Sequence, residues 1–329
     1  MWAVKLPLAR GLSPYALVAG RKDCHKSAMN SLTDIKFMPD SLRRSVLSVP
    51  SINSRALEKL PTLSCDAVIF DLEDSVAPEK KKEARGHLRR LFMERGSPSF
   101  ERIIRINPLS SPFGREDVDL VVELQPDAVL LPKVEHVSDI EAVADHISEA
   151  GMAREPSIWA MIETPKGVLN APMIAQADER LSCFVVGLND LRKETGVLPE
   201  LGRSYLVPWL MQILLAGHAY GIDVIDSVFN DFRNAEAFEM ECAQGRSMGF
   251  DGKMLIHPAQ IEPANRHFGP AAEALQEAEA IVAAFAEPGA EHLNVITMNG
   301  KMVERLHLAE AEKLLAKAAL IAKRERTSS

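Results

Sequence analysis

No apolar run in the 329-residue chain approaches the roughly 18 residues that a membrane-spanning helix needs, so no membrane partner is expected. Cysteine is scarce. Cys24, Cys65, Cys183 and Cys242 are far apart and form no C-x-x-C pair, which argues against a zinc ribbon or a dithiol redox centre and for reduced, structural thiols. The nine histidines do not group, so a transition-metal cluster is not expected. Excess basic charge is also missing: the formal net charge is −8, and nucleic acid is not an expected partner, because phosphate binding needs a surplus of Lys and Arg on one face. There is no internal repeat and no low-complexity tract.

The first 28 residues differ from the rest. Lys5, Arg10, Arg21, Lys22 and Lys26 are basic and Asp23 is the single acid. The stretch fits either a mitochondrial-type transit segment or an over-extended start, with Met29 beginning the folded protein. The second reading is adopted. The expected location is therefore cytoplasmic, with the mitochondrial matrix as the alternative, and residues 1–40 are set aside as an N-terminal segment.

What is present is an alternation. Short β-branched runs are separated by longer stretches with i, i+3, i+4 apolar spacing, the pattern of parallel strands joined by crossover helices. Eight runs stand out: Ser45–Val49, Ala67–Leu72, Ile103–Ile106, Ala128–Leu131, Ile158–Ile162, Phe184–Val186, Asp223–Ile225 and Lys253–Ile256. Their nearly continuous apolar character suits strands buried on both faces. Lys80–Arg95, Val137–Ala150 and Val207–Ala219 carry helical spacing. Eight such units within residues 41–270 predict a (β/α)₈ TIM barrel in preference to an open sheet. Residues 271–329 form a C-terminal helical extension: a helix over Ala271–Ala286, a short piece at His292–Met298, a turn at Asn299-Gly300 and a helix from Val303 to Lys323. The extension is expected to lack a core of its own and to pack on the barrel or on a neighbouring copy.

Polar residues gather where the apolar runs stop, and in a barrel of this kind those positions converge on one mouth. The second run ends in Asp71, Glu73 and Asp74; the third in Arg105 and Asn107; the fourth in Lys133; the fifth in Glu163; the sixth in Asn189 and Asp190; the eighth in His257. Glu163 and Asp190 end adjacent strands, so one hard cation can bridge them, and Mg²⁺ is commonly held by one or two carboxylates with waters and substrate oxygens completing an octahedron. Acids at these positions also cap the helices that follow, but the pair on neighbouring strands, with Gly187 allowing close approach, favours a metal. Arg105 lies inside the apolar run Ile103-Ile104-Arg105-Ile106, where a guanidinium is costly without an anion. It is a candidate to stabilise a developing enolate oxygen, with Asp71 or Glu73 as a pairing partner that preorganises it. Glu73 is also placed beside metal-bound water. Among Arg43, Arg44, Lys80, Lys133 and Lys253, only Arg44 and Lys80 are retained as candidates to meet the phosphates of a nucleotide-type handle.

These residues resemble the citrate lyase β-subunit-like group of the HpcH/HpaI aldolase family, which takes in malyl-CoA, β-methylmalyl-CoA and citramalyl-CoA lyases. The resemblance runs from about Arg44 to Ala318. It is carried by Arg44–Leu47, VIFDLEDSVA at Val68–Ala77, Arg105-Ile106-Asn107, Leu131–Val134, MIETPKG at Met161–Gly167, GLNDL at Gly187–Leu191 and GFDGKMLIHPAQI at Gly249–Ile261. It implies Mg²⁺ on Glu163 and Asp190, with Mn²⁺ as a substitute, and coenzyme A as part of the substrate. Arg105 would contact the thioester, coenzyme A contacts would fall on Arg44, Lys80 and Gly249–Pro258, and the assembly would be a homotrimer or a dimer of trimers. Where the acyl-CoA lyases carry an acid/base aspartate near the C-terminus, this chain has Glu304, and Ser48 and Ser51 replace an aromatic residue and a glycine. The expected activity is carbon–carbon cleavage of a malyl- or citramalyl-type thioester, with Arg105, Glu304 and Asp71 as catalytic groups and Arg44, Lys80, Arg105, Glu73 and Asn189 at the substrate. The rivals are a thioesterase or a malate-synthase-like condensing activity on the same thioesters, a citrate lyase β-type subunit acting on a carrier-protein thioester, and a non-catalytic barrel.

Overall fold

The computed structural model describes residues 42–93, 99–199, 201–290 and 292–328. The readings made for residues 1–40, and Cys24 with them, lie outside the described residues. Eight parallel strands close into a barrel in chain order: β1 (Ser45–Pro50), β2 (Ala67–Asp71), β3 (Glu101–Arg105), β4 (Ala128–Leu131), β5 (Ser157–Ile162), β6 (Leu181–Val186), β7 (Asp223–Asp226) and β8 (Gly252–Leu255), with β8 pairing back onto β1. The helices are α1 (Ser54–Lys59), α2 (Lys81–Met93), α3 (Gly114–Leu124), α4 (Val137–Glu149), α5 (Pro165–Ile174), α6 (Leu188–Thr195), α7 (Val207–Ala219), α8 (Ala235–Met248) and α9 (Ile261–His267). The predicted barrel is thus the observed one.

Two cores explain the two-sided apolar strands. Val46, Ile69, Ile103, Leu130, Trp159, Cys183, Val185 and Met254 fill the barrel interior, while their neighbours of opposite parity, such as Leu47, Val68, Phe70 and Ile104, pack outward against the helices. Cys65, Cys183 and Cys242 are buried and free, and burial pushes the thiols of Cys65 and Cys242 up to about 12, which leaves them unreactive.

The N-terminal end of the barrel is closed by Arg43. Its guanidinium donates to Glu101 at 3.0 and 2.9 Å, to Asp223 at 2.9 Å and to the Ser182 carbonyl at 3.1 Å, and lies 4.7 Å from the centre of the Trp159 ring. Three strand starts and the lowest interior side chain are thereby tied to one cation.

The C-terminal extension consists of α10 (Ala272–Ala286), the antiparallel pair β9 (Val295–Met298) and β10 (Lys301–Glu304), and α11 (Arg305–Ser328). Asn299 and Gly300, both at positive φ (51° and 74°), form the turn between the strands, as their dipeptide predicts. Val303 and Glu304 pair in β10 where helix was expected, because this turn brings them alongside Val295 and Ile296. The expectation of no separate core is also corrected: Ala278, Ile281, Phe285, Val303 and Ala311 form a small buried cluster of their own. Near its far end α11 reaches the N-terminal side of the barrel, where Arg324 pairs with Asp66 at 3.3 Å.

Replacing Arg43 with alanine leaves Glu101 and Asp223 without their cation at a poorly hydrated barrel end. Urea unfolding is expected to show a loss of about 3 kcal/mol, the range for breaking a buried ion pair from one side, and an unchanged midpoint would remove Arg43 as the keystone of that end.

Candidate functional site

At the other end of the barrel, the C-terminal tips of β2 to β6 present charged groups one after another. Asp71 is the last residue of β2 and Arg105 the last of β3, and they are register partners on adjacent strands. Register alone therefore brings them together: Arg105 Nε and Nη2 each donate to an Asp71 oxygen at 2.6 Å. Asp71 also accepts from the backbone N–H groups of Glu73 at 2.8 Å and Ser75 at 3.1 Å. Although burial opposes it, the Arg105 charge and these donors hold the Asp71 carboxyl below the usual carboxylate range. With both oxygens engaged, Asp71 has no lone pair aimed at a substrate proton. Its pairing with Arg105 is the one expected, and it lines the cavity at the barrel mouth.

The third nitrogen of Arg105, Nη1, lies 3.1 Å from Glu73 Oε2 and faces Met161 Sδ at 3.7 Å. Glu73, 4% exposed, has its second oxygen on the Lys133 ammonium, which also lies 3.6 Å from Asp74. Lys133 follows β4, and its backbone N–H donates to Glu163 Oε1 at 2.8 Å.

Glu163 follows β5 and is 1% exposed. Burial first, then the nearby charges of Glu73 and Asp190, push its carboxyl up to about 8, against the opposing pull of Arg105 and the Lys133 amide. Its other oxygen rests against Gly187 at the end of β6. A Cβ at residue 187 would stand 2.4 Å from Glu163 Cβ and 2.5 Å from Oε2, so the glycine is the cradle of the carboxylate. Asp190, half-buried in the first turn of α6, opens onto the same space, where a helix N-terminus favours an acid.

Arg105, Glu163 and Asp190 all line one cavity of about 380 Å³, together with Asp71, Asp74 and Asn189. Its opposite wall is apolar, made by Val228, Met254 and Ile256. Asn189 sits at the rim, paired with Asn230 through an amide contact of 2.8 Å. Among the described residues no third acid, histidine or cysteine joins Glu163 and Asp190 in a complete protein cage. Hard oxygen donors on a buried Glu163 and a half-buried Asp190 that repel each other fit a divalent ion such as Mg²⁺ or Mn²⁺, whose remaining positions would go to water and substrate.

Three expected residues lie elsewhere. Arg44 precedes β1 and so sits at the N-terminal end, where it is bidentate to Asp66 at 2.8 and 2.9 Å; its expected role at the substrate is corrected to a structural ion pair. Lys80, in the loop after β2, is solvent-exposed and paired with Glu83 at 2.8 Å, outside the cavity lining. Glu304, at the end of β10, is exposed, its backbone N–H donates to His307 Nδ1 at 2.9 Å, and it does not line its own chain's cavity. His257 is stacked on Phe232 at 4.5 Å, away from the acids. The close approach expected at Gly187 is the one observed, and Lys133 is the residue whose role was missed. The Leu131–Val134 motif contains it, but nothing in a one-dimensional pattern shows where its backbone amide points.

The carboxylate pair and the fixed guanidinium thus lie at the C-terminal mouth of a closed (β/α)₈ barrel, the face where barrel enzymes place their active sites. Residues 44–258 match the HpcH/HpaI aldolase/citrate lyase family, and the chain belongs to that family. It is 43% identical over 279 residues to a (3S)-malyl-CoA thioesterase of Cereibacter sphaeroides, covering 85% of this chain and 95% of that protein. It is 33% identical over 288 residues to the citrate lyase β subunit of Escherichia coli, covering 86% and 95%. Among solved structures, the protein CitE of Mycobacterium tuberculosis in complex with magnesium, acetoacetate and coenzyme A superposes with a TM-score of 0.69 at 26% identity, covering 86% of this chain and all of that one. The family thus includes both lyases and thioesterases.

The Glu163 carboxyl sets a pH dependence in metal-free protein. Its folded pKa, about 8, is above the ordinary 4.5, so the folded state holds the proton more tightly, and stability is full below about 4.5 and falls as pH rises through about 8. In EDTA, Glu163→Gln is expected to abolish that fall and to be on the order of 3 kcal/mol more stable than the wild type above it. Parallel wild-type and variant curves in denaturant titrations would contradict the assignment.

Proposed function

We propose that this protein is a Mg²⁺-dependent carbon–carbon lyase that cleaves a malyl- or citramalyl-type coenzyme A thioester to acetyl-CoA and glyoxylate or pyruvate. The observation that carries the proposal is the shared cavity: Glu163 and Asp190 line it together with Arg105, whose guanidinium is fixed by Asp71. Glu163 and Asp190 would hold the ion, which when bound supplies Lewis-acid polarisation of the substrate's hydroxyl and distal carboxylate oxygens. Arg105, pinned on two sides by Asp71 and Glu73, needs no reorganisation to meet charge developing on the thioester oxygen as the carbon–carbon bond opens. The hydroxyl proton passes to water at the cavity mouth as the carbonyl of the 2-oxo acid forms, and the electron pair of the breaking carbon–carbon bond passes to the thioester as an enolate that Arg105 stabilises. The apolar wall of Val228, Met254 and Ile256 limits water near that enolate. Return of a proton to the acetyl carbon is the role proposed for Glu304 of a neighbouring copy, in a homotrimer or a dimer of trimers, since Glu304 does not line its own chain's cavity.

A second reading, hydrolysis of the same thioester, is favoured by the 43% identity to the malyl-CoA thioesterase. The two readings share the cavity, the ion and Arg105, and differ in whether water reaches the thioester carbon.

Pure protein given Mg²⁺ and malyl-CoA or citramalyl-CoA is expected to form a 2-oxo acid and acetyl-CoA, without free thiol. Thiol release without 2-oxo acid selects the hydrolase. Loss of both across the panel would contradict both readings, as would full activity of Glu163→Ala or of wild type in EDTA. Glu304→Gln is expected to lower kcat by about a hundredfold, the typical contribution of a general acid or base, with little change in KM; an unaffected kcat would remove Glu304 from the proton transfer.

A further inference from the structure

Lys133 occupies a conformation that a lysine has no local reason to adopt. Its φ is +51°, in the left-handed region where a non-glycine residue carries strain on the order of 1 kcal/mol. If only the turn mattered, glycine or asparagine would serve there with less strain. If only the ammonium mattered, ordinary backbone would carry it. The residue does two things at once. The left-handed turn points its N–H at Glu163 Oε1, 2.8 Å away, and its side chain returns across the mouth to Glu73 and Asp74.

The side-chain contact matters because of what Glu73 would otherwise do. Glu73 is close enough to Glu163 for its charge to act on that carboxyl, it is 4% exposed, and each of its oxygens faces a cation, one on Arg105 and one on Lys133. Lys81, the other lysine nearby, donates its ammonium hydrogen bonds to the carbonyl oxygens of Leu72 and Glu73 at 2.7 Å and none to the Glu73 carboxylate, which it meets only through its charge. Freed from Lys133, the Glu73 carboxylate keeps its Arg105 contact and is otherwise drawn by its charge toward an ion held at Glu163, on which that charge already acts. A third carboxylate would take a coordination position that substrate oxygens need.

Resting on the proposed metal reading, we propose that Lys133 is a positioning residue of the metal site: its left-handed backbone aims an amide at Glu163 and its ammonium withholds Glu73 from the cation. Lys133 keeps the site at two carboxylates, weaker in affinity and open to substrate.

Mn²⁺ binding to the full chain, followed by electron paramagnetic resonance together with the relaxation of water protons by the bound ion, tests this without turnover. Lys133→Met is expected to bind Mn²⁺ on the order of tenfold more tightly than wild type, from the lost cation and the gained ligand, and to show fewer exchangeable waters on the ion. Lys133→Gly, which adopts positive φ without strain and so guards against a folding failure, should behave in the same way, and Lys133→Arg should restore wild-type affinity. Adding Glu73→Gln to Lys133→Met should return both readouts to near wild type. Wild-type binding with Lys133→Met and Lys133→Gly no tighter, or a double variant that stays tight, overturns the role given to Lys133. Absence of Mn²⁺ binding by wild type overturns the metal reading, and this inference with it.

Discussion

Glu163 is a carboxyl with almost no exposure, set beside two other acids, and the surrounding mouth is built around the cost of that placement. One of its oxygens takes the Lys133 amide; the other lies where only a glycine at 187 leaves room. Glu73 faces a cation at each oxygen, although burial still holds its carboxyl above the usual range, and Asp71 is committed to Arg105. Glu163 keeps a raised carboxyl with Asp190 across the same cavity, and a divalent cation is the partner proposed for that pair.

The barrel makes this arrangement possible because parallel strands in register deliver side chains to one rim. Asp71 and Arg105 meet because residues 71 and 105 are paired across β2 and β3, and Gly187 meets Glu163 because the ends of β5 and β6 lie side by side, the Gly187 N–H donating to the Ile162 carbonyl at 3.1 Å. The opposite rim is used for stability. Arg43 draws Glu101 and Asp223 together beneath Trp159, and Arg44 with Asp66 adds a second buried pair. Charges at the two ends follow the same electrostatic rules, but the N-terminal set pairs each acid with an arginine, while Glu163 is held above the usual carboxylate range.

Much of this was legible in the amino-acid order. Strands buried on both faces read as unbroken β-branched runs, so all eight were located within a few residues, and the polar tips of Asp71, Arg105, Glu163 and Asp190 stand out against them. Arg44 was misread because a residue before a strand and a residue after it look alike in composition, while the fold sends them to opposite ends of the barrel. Asp71 was expected both to pair with Arg105 and to act as a catalytic group; the register of β2 and β3 bears out the pairing. Glu304 was placed in a helix because Val303 to Lys323 has helical spacing, and the Asn299-Gly300 turn that pulls its start into a hairpin acts over a longer range. Lys133 was passed over because a backbone dihedral leaves no mark on a pattern of side chains.

The central claim is that one divalent ion sits at the barrel mouth between Glu163 and Asp190, facing Arg105. Anomalous diffraction from crystals soaked in Mn²⁺ tests it most directly. The account predicts a single strong peak contacting carboxylate oxygens of both residues. A peak at another site, or well-ordered Glu163 and Asp190 side chains turned apart with no ion between them, would contradict it.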